Sequence, residues 1–252
     1  MVAPAFIASL IVLATHVPLG TEVLRRGIIF IDLAIAQVAG LGVIAADSMG
    51  WEAEGWMVQV AAVSAALAAA FVLHWTDKRW PAIQEALIGV SFVLAATAGI
   101  LVLAGNPHGG EHLKELLVGQ VLWVSYAQLL PSAIVSALVL TGWYLLRERM
   151  QGFTFYALFA FAVTVSVQLV GIYLVFASLI IPALATRKVA HWGLRIACGY
   201  GVGVTGCLAG LALSVAADLP AGAVIVWCLA VAALLFTYLV GPFVEYREEP
   251  DL

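Results

Sequence analysis

FTFYALFAFAVTVSVQLVGIYLVFASLIIPALA, residues 153–185, runs for 33 residues without a charged side chain. One membrane-crossing helix needs about 20 apolar residues, so the stretch is too long for one span and short for two. Pro182 interrupts its end. It therefore reads as a full span over 153–172 followed by a short, broken or re-entrant helix from about Tyr173 to Ala185. Such backbone is tolerated at membrane depth only when protein or a wet cavity surrounds it.

The rest of the chain agrees with a membrane setting. Of its 252 residues 64% are hydrophobic and 10% charged, and the mean hydropathy is +1.08. Soluble domains carry about 25% charge, so this chain has too few charges to cover a water-facing surface. Eleven Lys+Arg against fifteen Asp+Glu give a net charge of −4, with no basic patch for nucleic acid. Further apolar runs lie at 3–20, 27–46, 56–75, 85–105, 127–146, 193–216 and 221–243. The expected fold is all-α and polytopic: eight transmembrane helices plus one short re-entrant helix, in a single domain over 1–252. The N-terminal run lacks a basic leader and a cleavage site, and reads as a retained first span. Cys198, Cys207 and Cys228 all sit in apolar runs, with no zinc-site spacing.

Parity then sets orientation. If the short helix returns the chain, Arg25, Arg26, Lys78, Arg79, Arg147, Arg149, Arg187, Lys188, Arg195 and Arg247 share one side, and only Lys114 lies opposite. The positive-inside rule makes that side the cytoplasm, with the N-terminus outside and the tail YREEPDL inside.

Ionisable or amide groups at membrane depth are functional candidates. Asp32 follows the start of the second run by five residues, about 7 Å deep at 1.5 Å per residue. It reads either as an interfacial carboxylate paired with Arg25 or Arg26 or as a cation ligand. Gln37 lies about 140° around the helix from it. Gln168 is a second mid-span amide, whose default role is helix–helix hydrogen bonding. In the external loop NPHGGEHLKELL, His108, Glu111 and His112 are ligand types suited to zinc, manganese or nickel, or simply solvated loop residues. His16, beside Pro18, and His74 lie near span ends, and His16 is the better ligand candidate. The glycines of GYGVGVTGCLAG (199–210) allow close helix approach. No GxxxxGK[ST], HExxH or GxSxG is present, so the chain lacks its own P-loop and the usual hydrolase motifs. A transport role remains, not an enzymatic one.

Several ordered segments resemble the membrane permease subunit of zinc- and manganese-type ABC importers. LGTEVLRRGIIFIDLAIAQVAGLGVIAA (19–46) is similar to that family's double arginine running into a pore-lining helix. EALIGVSFVLA (85–95) and LLVGQVLWVS (116–125) resemble two further family elements. VQLVGIYLVFASLIIPALATR (167–187) is similar to its Gly-then-Pro marker, and DLPAGAVIVWCLAVAALLF (218–236) to its terminal span. The resemblance implies the ABC importer permease fold in a bacterial inner membrane. It implies a second permease copy in a homodimer, a cytoplasmic ATPase that uses the ATP, and an extracytoplasmic metal-binding protein. The cargo would be a divalent ion, zinc first, then manganese or iron, with no cofactor resident in this chain. A coupling segment over about 183–195 would dock on the ATPase, through Pro182, Thr186, Arg187, Lys188 and His191.

The chain also departs from the family. Relatives carry Gly-Asp-x-x-Ser-His in the second span; aligned on Gly42-Val43, Leu33 takes the Asp position and Gln37 the His position. Asp32 is one residue early and so about 100° out of place. RERMQG (147–152) is shorter than the corresponding segment of relatives, which shifts the expected coupling load to 183–195. An ATP-independent transporter using Asp32, or an ABC permease for a metal chelate, are the alternatives.

Overall fold

The computed structural model describes residues 2–51, 55–104, 106, 110, 117–119, 121–146 and 152–240. Among these there are nine α-helices and no β-strand: α1 Val2–Arg26, α2 Ile31–Ser48, α3 Trp56–Arg79, α4 Gln84–Leu103, α5 Tyr126–Leu145, α6 Phe153–Val170, α7 Ile172–Ala185, α8 Trp192–Ala217 and α9 Ala221–Leu235. All but α7 are long and apolar enough to cross a membrane, α4 with its preceding 3₁₀ turn and α9 with the π-helical turn Phe236–Val240.

The charge-free stretch folds as expected, with a sharper break. α6 ends at Val170 and α7 starts at Ile172, leaving Gly171 alone between them at φ 82°. This left-handed conformation favours glycine. Space demands glycine as well, because a Cβ on Gly171 would lie 2.6 Å from Gly119 Cα. Gly119 in turn is at φ 71° against the Val170 carbonyl, and a Cβ on Gly222 would collide with the Val118 carbonyl oxygen. Three backbones thus cross where the segment before α5, the α6–α7 break and the start of α9 meet.

α7 then descends. Val170 and Leu174 line a small interstice with Ser9, Val12 and Leu13 of α1, whereas Leu179 and Ala183 lie against Gly20, further along α1. Fourteen residues give α7 a length of about 21 Å. Most of its residues are buried between α1, α8 and α9, and Tyr173 and Leu184 are exposed. Protein therefore encloses the broken helix, as the lack of water in a bilayer core requires.

α1 forms the centre, packed on α5, α6, α7 and α8, while α2, α3 and α4 form a second group joined to the first through α6 and α7. Pro18 cannot donate to the Ala14 carbonyl, and the Tyr200 hydroxyl of α8 donates to that oxygen instead at 2.8 Å. The glycine run of α8 divides its work. Gly199 and Gly203 face Val17 and Leu13 of α1, and Gly206 and Gly210 face Leu229 and Ile225 of α9.

Large apolar side chains such as Leu94, Leu101, Leu138 and Trp227 cover the outside of α4, α5 and α9. Exposed aromatics mark helix ends: Trp56, Trp75, Trp80, Trp123, Tyr126 and Tyr144, as in the belts that sit at membrane interfaces. The described cations, Arg25, Arg26, Lys78, Arg79, Arg187, Lys188 and Arg195, all fall at one end of the bundle. The chain has the build of a multi-pass membrane protein, and the positive-inside rule puts this end in the cytoplasm.

Gly171→Ala is expected to abolish a monodisperse peak in detergent size-exclusion chromatography. Gly193→Ala, at a position with open space around it, keeps the wild-type profile and melting temperature. Equal behaviour of the two variants would show that the crossing tolerates a side chain.

Candidate functional site

The second helix starts later than its apolar run. Gly27, at φ 68°, and the residues to Phe30 form the turn, and α2 begins at Ile31. Asp32 therefore sits in the first turn of the helix, not one and a half turns into it. Its side chain is fully buried, and neither carboxylate oxygen has a hydrogen-bond partner. The expected pairing with Arg25 or Arg26 does not form. Both arginines bind Glu22: Arg25 through Nε at 2.8 Å and Nη2 at 2.5 Å, Arg26 through Nε at 2.7 Å. Glu22 precedes them by three and four residues on one helix, the spacing at which side chains meet. That spacing was visible in the sequence and outcompetes Asp32, which lies across a turn.

α2 has two different faces. Phe30, Leu33, Leu41 and Ser48 are exposed or half-buried and form a stripe that includes Gln37, itself 8% exposed. Asp32 points the opposite way, into the packing between α2 and its neighbours. The two positions that hold ligands in the resembling family, 33 and 37, therefore lie on the outward stripe. Asp32 lies on the inward face, as the 100° rotation per residue requires.

His16 is not near a span end. α1 continues to Arg26, ten residues or about 15 Å further on, because Thr21 and Glu22 are accommodated inside protein instead of ending the helix. Its Nδ1 lies 2.9 Å from the Val12 carbonyl oxygen, while Nε2 is buried without a partner. His74 is at the cytoplasmic end of α3, against the rings of Tyr156 and Phe153. His108, Glu111 and His112 lie outside the described residues. Among the described residues no three His, Cys, Asp or Glu side chains cluster as a metal site. His16, Asp32 and Gln37 are thus not brought together as one ligand set.

The segment after α7 has a clear division of roles. Pro182 and Thr186 are buried, the Thr186 hydroxyl donating to the Pro182 carbonyl at 2.8 Å. Arg187, Lys188 and His191 are exposed, together with Trp192 and Leu194. Val189 is buried and anchors the middle of the segment, and Arg195 donates to its carbonyl twice, at 3.0 and 2.7 Å. Sequence reasoning counted Arg195 as a cation of the inner face and missed this clamp. The result is a braced, exposed cytoplasmic elbow fixed directly to the buried strut of α7.

The model of the ABC 3 transport family matches residues 1–156 and 146–240. An uncharacterised membrane protein of Synechocystis sp. (strain ATCC 27184 / PCC 6803 / Kazusa) is 26% identical over 92% of this chain and 88% of its own length. Among solved structures, the chain is similar to PsaBC from Streptococcus pneumoniae in complex with Fab. The TM-score is 0.77 at 20% identity, over 94% of this chain and 91% of that one. A chain described as a metal-chelate type ABC transporter in an inward-facing conformation gives a TM-score of 0.63 at 17% identity, over 95% and 85%. Matched along nearly its whole length and carrying the ABC importer permease fold, the chain belongs to the ABC 3 transport family.

Proposed function

We propose that the chain is the membrane permease of an ABC importer that moves a divalent metal ion into the cytoplasm, zinc first, then manganese or iron. The observation that carries this reading is the braced elbow over 186–195, with its exposed Arg187, Lys188 and His191 at the cytoplasmic end of a short helix whose residues are mostly buried. Such an arrangement transmits a push from a separate ATPase into the protein interior, since packed interiors move as rigid pieces. A second copy would face the outward stripe of α2, and a metal-binding protein would deliver cargo to the outer face, where His108, Glu111 and His112 offer ligands. The ATP-independent alternative rested on Asp32 as an ion-coupling residue in the pathway, and Asp32 faces away from that stripe.

A second cargo class has its own support. Leu33 and Gln37 make the stripe a poor site for a bare zinc ion, since an amide is a weaker ligand than imidazole. They would accept an apolar metal chelate, and one structural neighbour is described as metal-chelate type.

The experiment is purification from native membranes in mild detergent, followed by reconstitution with the co-purifying subunits and ATP. ATP-dependent uptake of radioactive zinc or manganese establishes the reading. Uptake of a chelate but not the ion selects the second class. A clean oligomer with no ATPase, from membranes that contain one, overturns both.

Three variants test the assignments in the same system. Arg187→Glu lowers metal uptake per ATP hydrolysed at least fivefold and leaves the melting temperature within about 1 °C, as expected of a surface substitution; unchanged uptake counts against the elbow. Arg195→Gln removes the Val189 clamp, so limited trypsinolysis after Arg187 and Lys188 accelerates several-fold in the folded protein. His108→Ala with His112→Ala raises the metal concentration for half-maximal uptake without lowering the maximum rate, and superimposable curves reduce that loop to a solvated connection.

A further inference from the structure

Buried polar atoms without partners are few in folded proteins, and each marks strain, chemistry, water or an ion. Here they are concentrated. The described residues with such atoms are His16, Asp32, His74, Gln84, Glu85 and Tyr156. All but His16 lie at the cytoplasmic ends of α2, α3, α4 and α6. They form a continuous patch. Glu85 Oε1 accepts the Phe30 N–H at 3.1 Å, just before Asp32, and the two carboxyl groups lie within electrostatic range of one another. Gln84 is adjacent in sequence, its amide donating to the Leu73 carbonyl at 2.8 Å. Tyr156, whose ring centroid is 5.3 Å from that of His74, interacts with Asp77 and with Gln84.

Three carboxylate oxygens in this patch, both of Asp32 and Oε2 of Glu85, accept no hydrogen bond from a side chain. The nearest arginines on α1, Arg25 and Arg26, bind Glu22, and Arg26 also stacks over the Phe155 ring at 4.0 Å. The partial positive charge at the start of α2 compensates part of one carboxylate and leaves the pair short of positive charge. A shared proton would satisfy two of the three oxygens. A cation satisfies all three, and oxygen-only donors select a hard ion that keeps part of its water.

We propose that Asp32 of α2 and Glu85 of α4 hold a hydrated hard divalent cation, of the magnesium and manganese class, inside the cytoplasmic end of the protomer. This site lies on the face of α2 away from the outward stripe, so the ion is resident and ties α2 to α4. It does not depend on which cargo the permease carries.

The test is Mn²⁺ titration of the full-length protein, stripped of metal by chelator in lipid nanodiscs, following free Mn²⁺ by electron paramagnetic resonance. Wild type is expected to bind one Mn²⁺ per chain, displaced by excess Mg²⁺. Asp32→Asn and Glu85→Gln each weaken binding at least tenfold, and Gly193→Ala, away from both the patch and the stripe, leaves it unchanged. Loss in Gln37→Leu alone would place the ion in the cargo pathway and overturn the proposal, as would stoichiometric binding in Asp32→Asn equal to wild type. Should the carboxyl variants fail to fold, infrared spectroscopy of wild type decides. A carboxylate stretch that shifts with Mn²⁺ supports the site. A protonated carbonyl band indifferent to Mn²⁺ replaces the cation with a proton and overturns it.

Discussion

A polypeptide inside a bilayer has no water to accept its backbone hydrogen bonds, and the break at Gly171 has to be reconciled with that fact. The chain reconciles it by burial. Gly119, Gly171 and Gly222 remove the side chains that would hold three backbones apart, and α1, α8 and α9 close around α7. The rest depends on this point. Because α7 returns the chain, the number of passes becomes odd, the described cations gather at one end, and the elbow over 186–195 reaches the cytoplasm. A continuous helix through Gly171 would reverse every later span.

Most of this fold was legible in the sequence, because its main constraint is written in composition. Charge-free runs, the position of Pro182 and the side on which arginines fall need no tertiary information. The helix ends were less legible. α1 runs on through Pro18, Thr21 and Glu22 to Arg26, since Tyr200 satisfies the carbonyl that Pro18 frees and Glu22 is neutralised by two arginines. Both compensations come from geometry, one from a residue more than 180 positions away. The depth of His16 depended on them, and so was misjudged.

The candidate site divided along the same line. That Asp32 does not occupy the place of position 33 follows from helical rotation alone, and α2 carries Asp32 and Gln37 on different faces. That Asp32 would lose its arginines to Glu22 was also written in the i, i+3 and i, i+4 spacing, but a buried residue's partner is settled by which competitor lies on the same helix. Glu85 entered the sequence reading only as the acidic first residue of EALIGVSFVLA, with no role assigned to it. Its role emerges only where α4 packs on α2 and its carboxylate caps the turn at Phe30.

The two ends of α7 therefore face different demands. At Gly171 the helix is pinned by backbone contacts that allow no side chain, while at Thr186 it passes into an exposed elbow held by Val189 and the Arg195 clamp. Rigid packing along the length between them leaves little room for compression, because interiors at this density are nearly incompressible. A displacement applied at Arg187 and Lys188 then has to appear as a tilt of the whole strut about the glycine crossing, and the Gly20 contact with Leu179 and Ala183 carries it into α1. α7 also touches α2, where Phe176 stacks on Phe30 at 6.1 Å between ring centroids. Phe30 opens the outward stripe that includes Leu33 and Gln37. A movement at the cytoplasmic elbow thus reaches that stripe through one stacked ring pair and one rigid helix, which is a short enough path for the two to be mechanically linked.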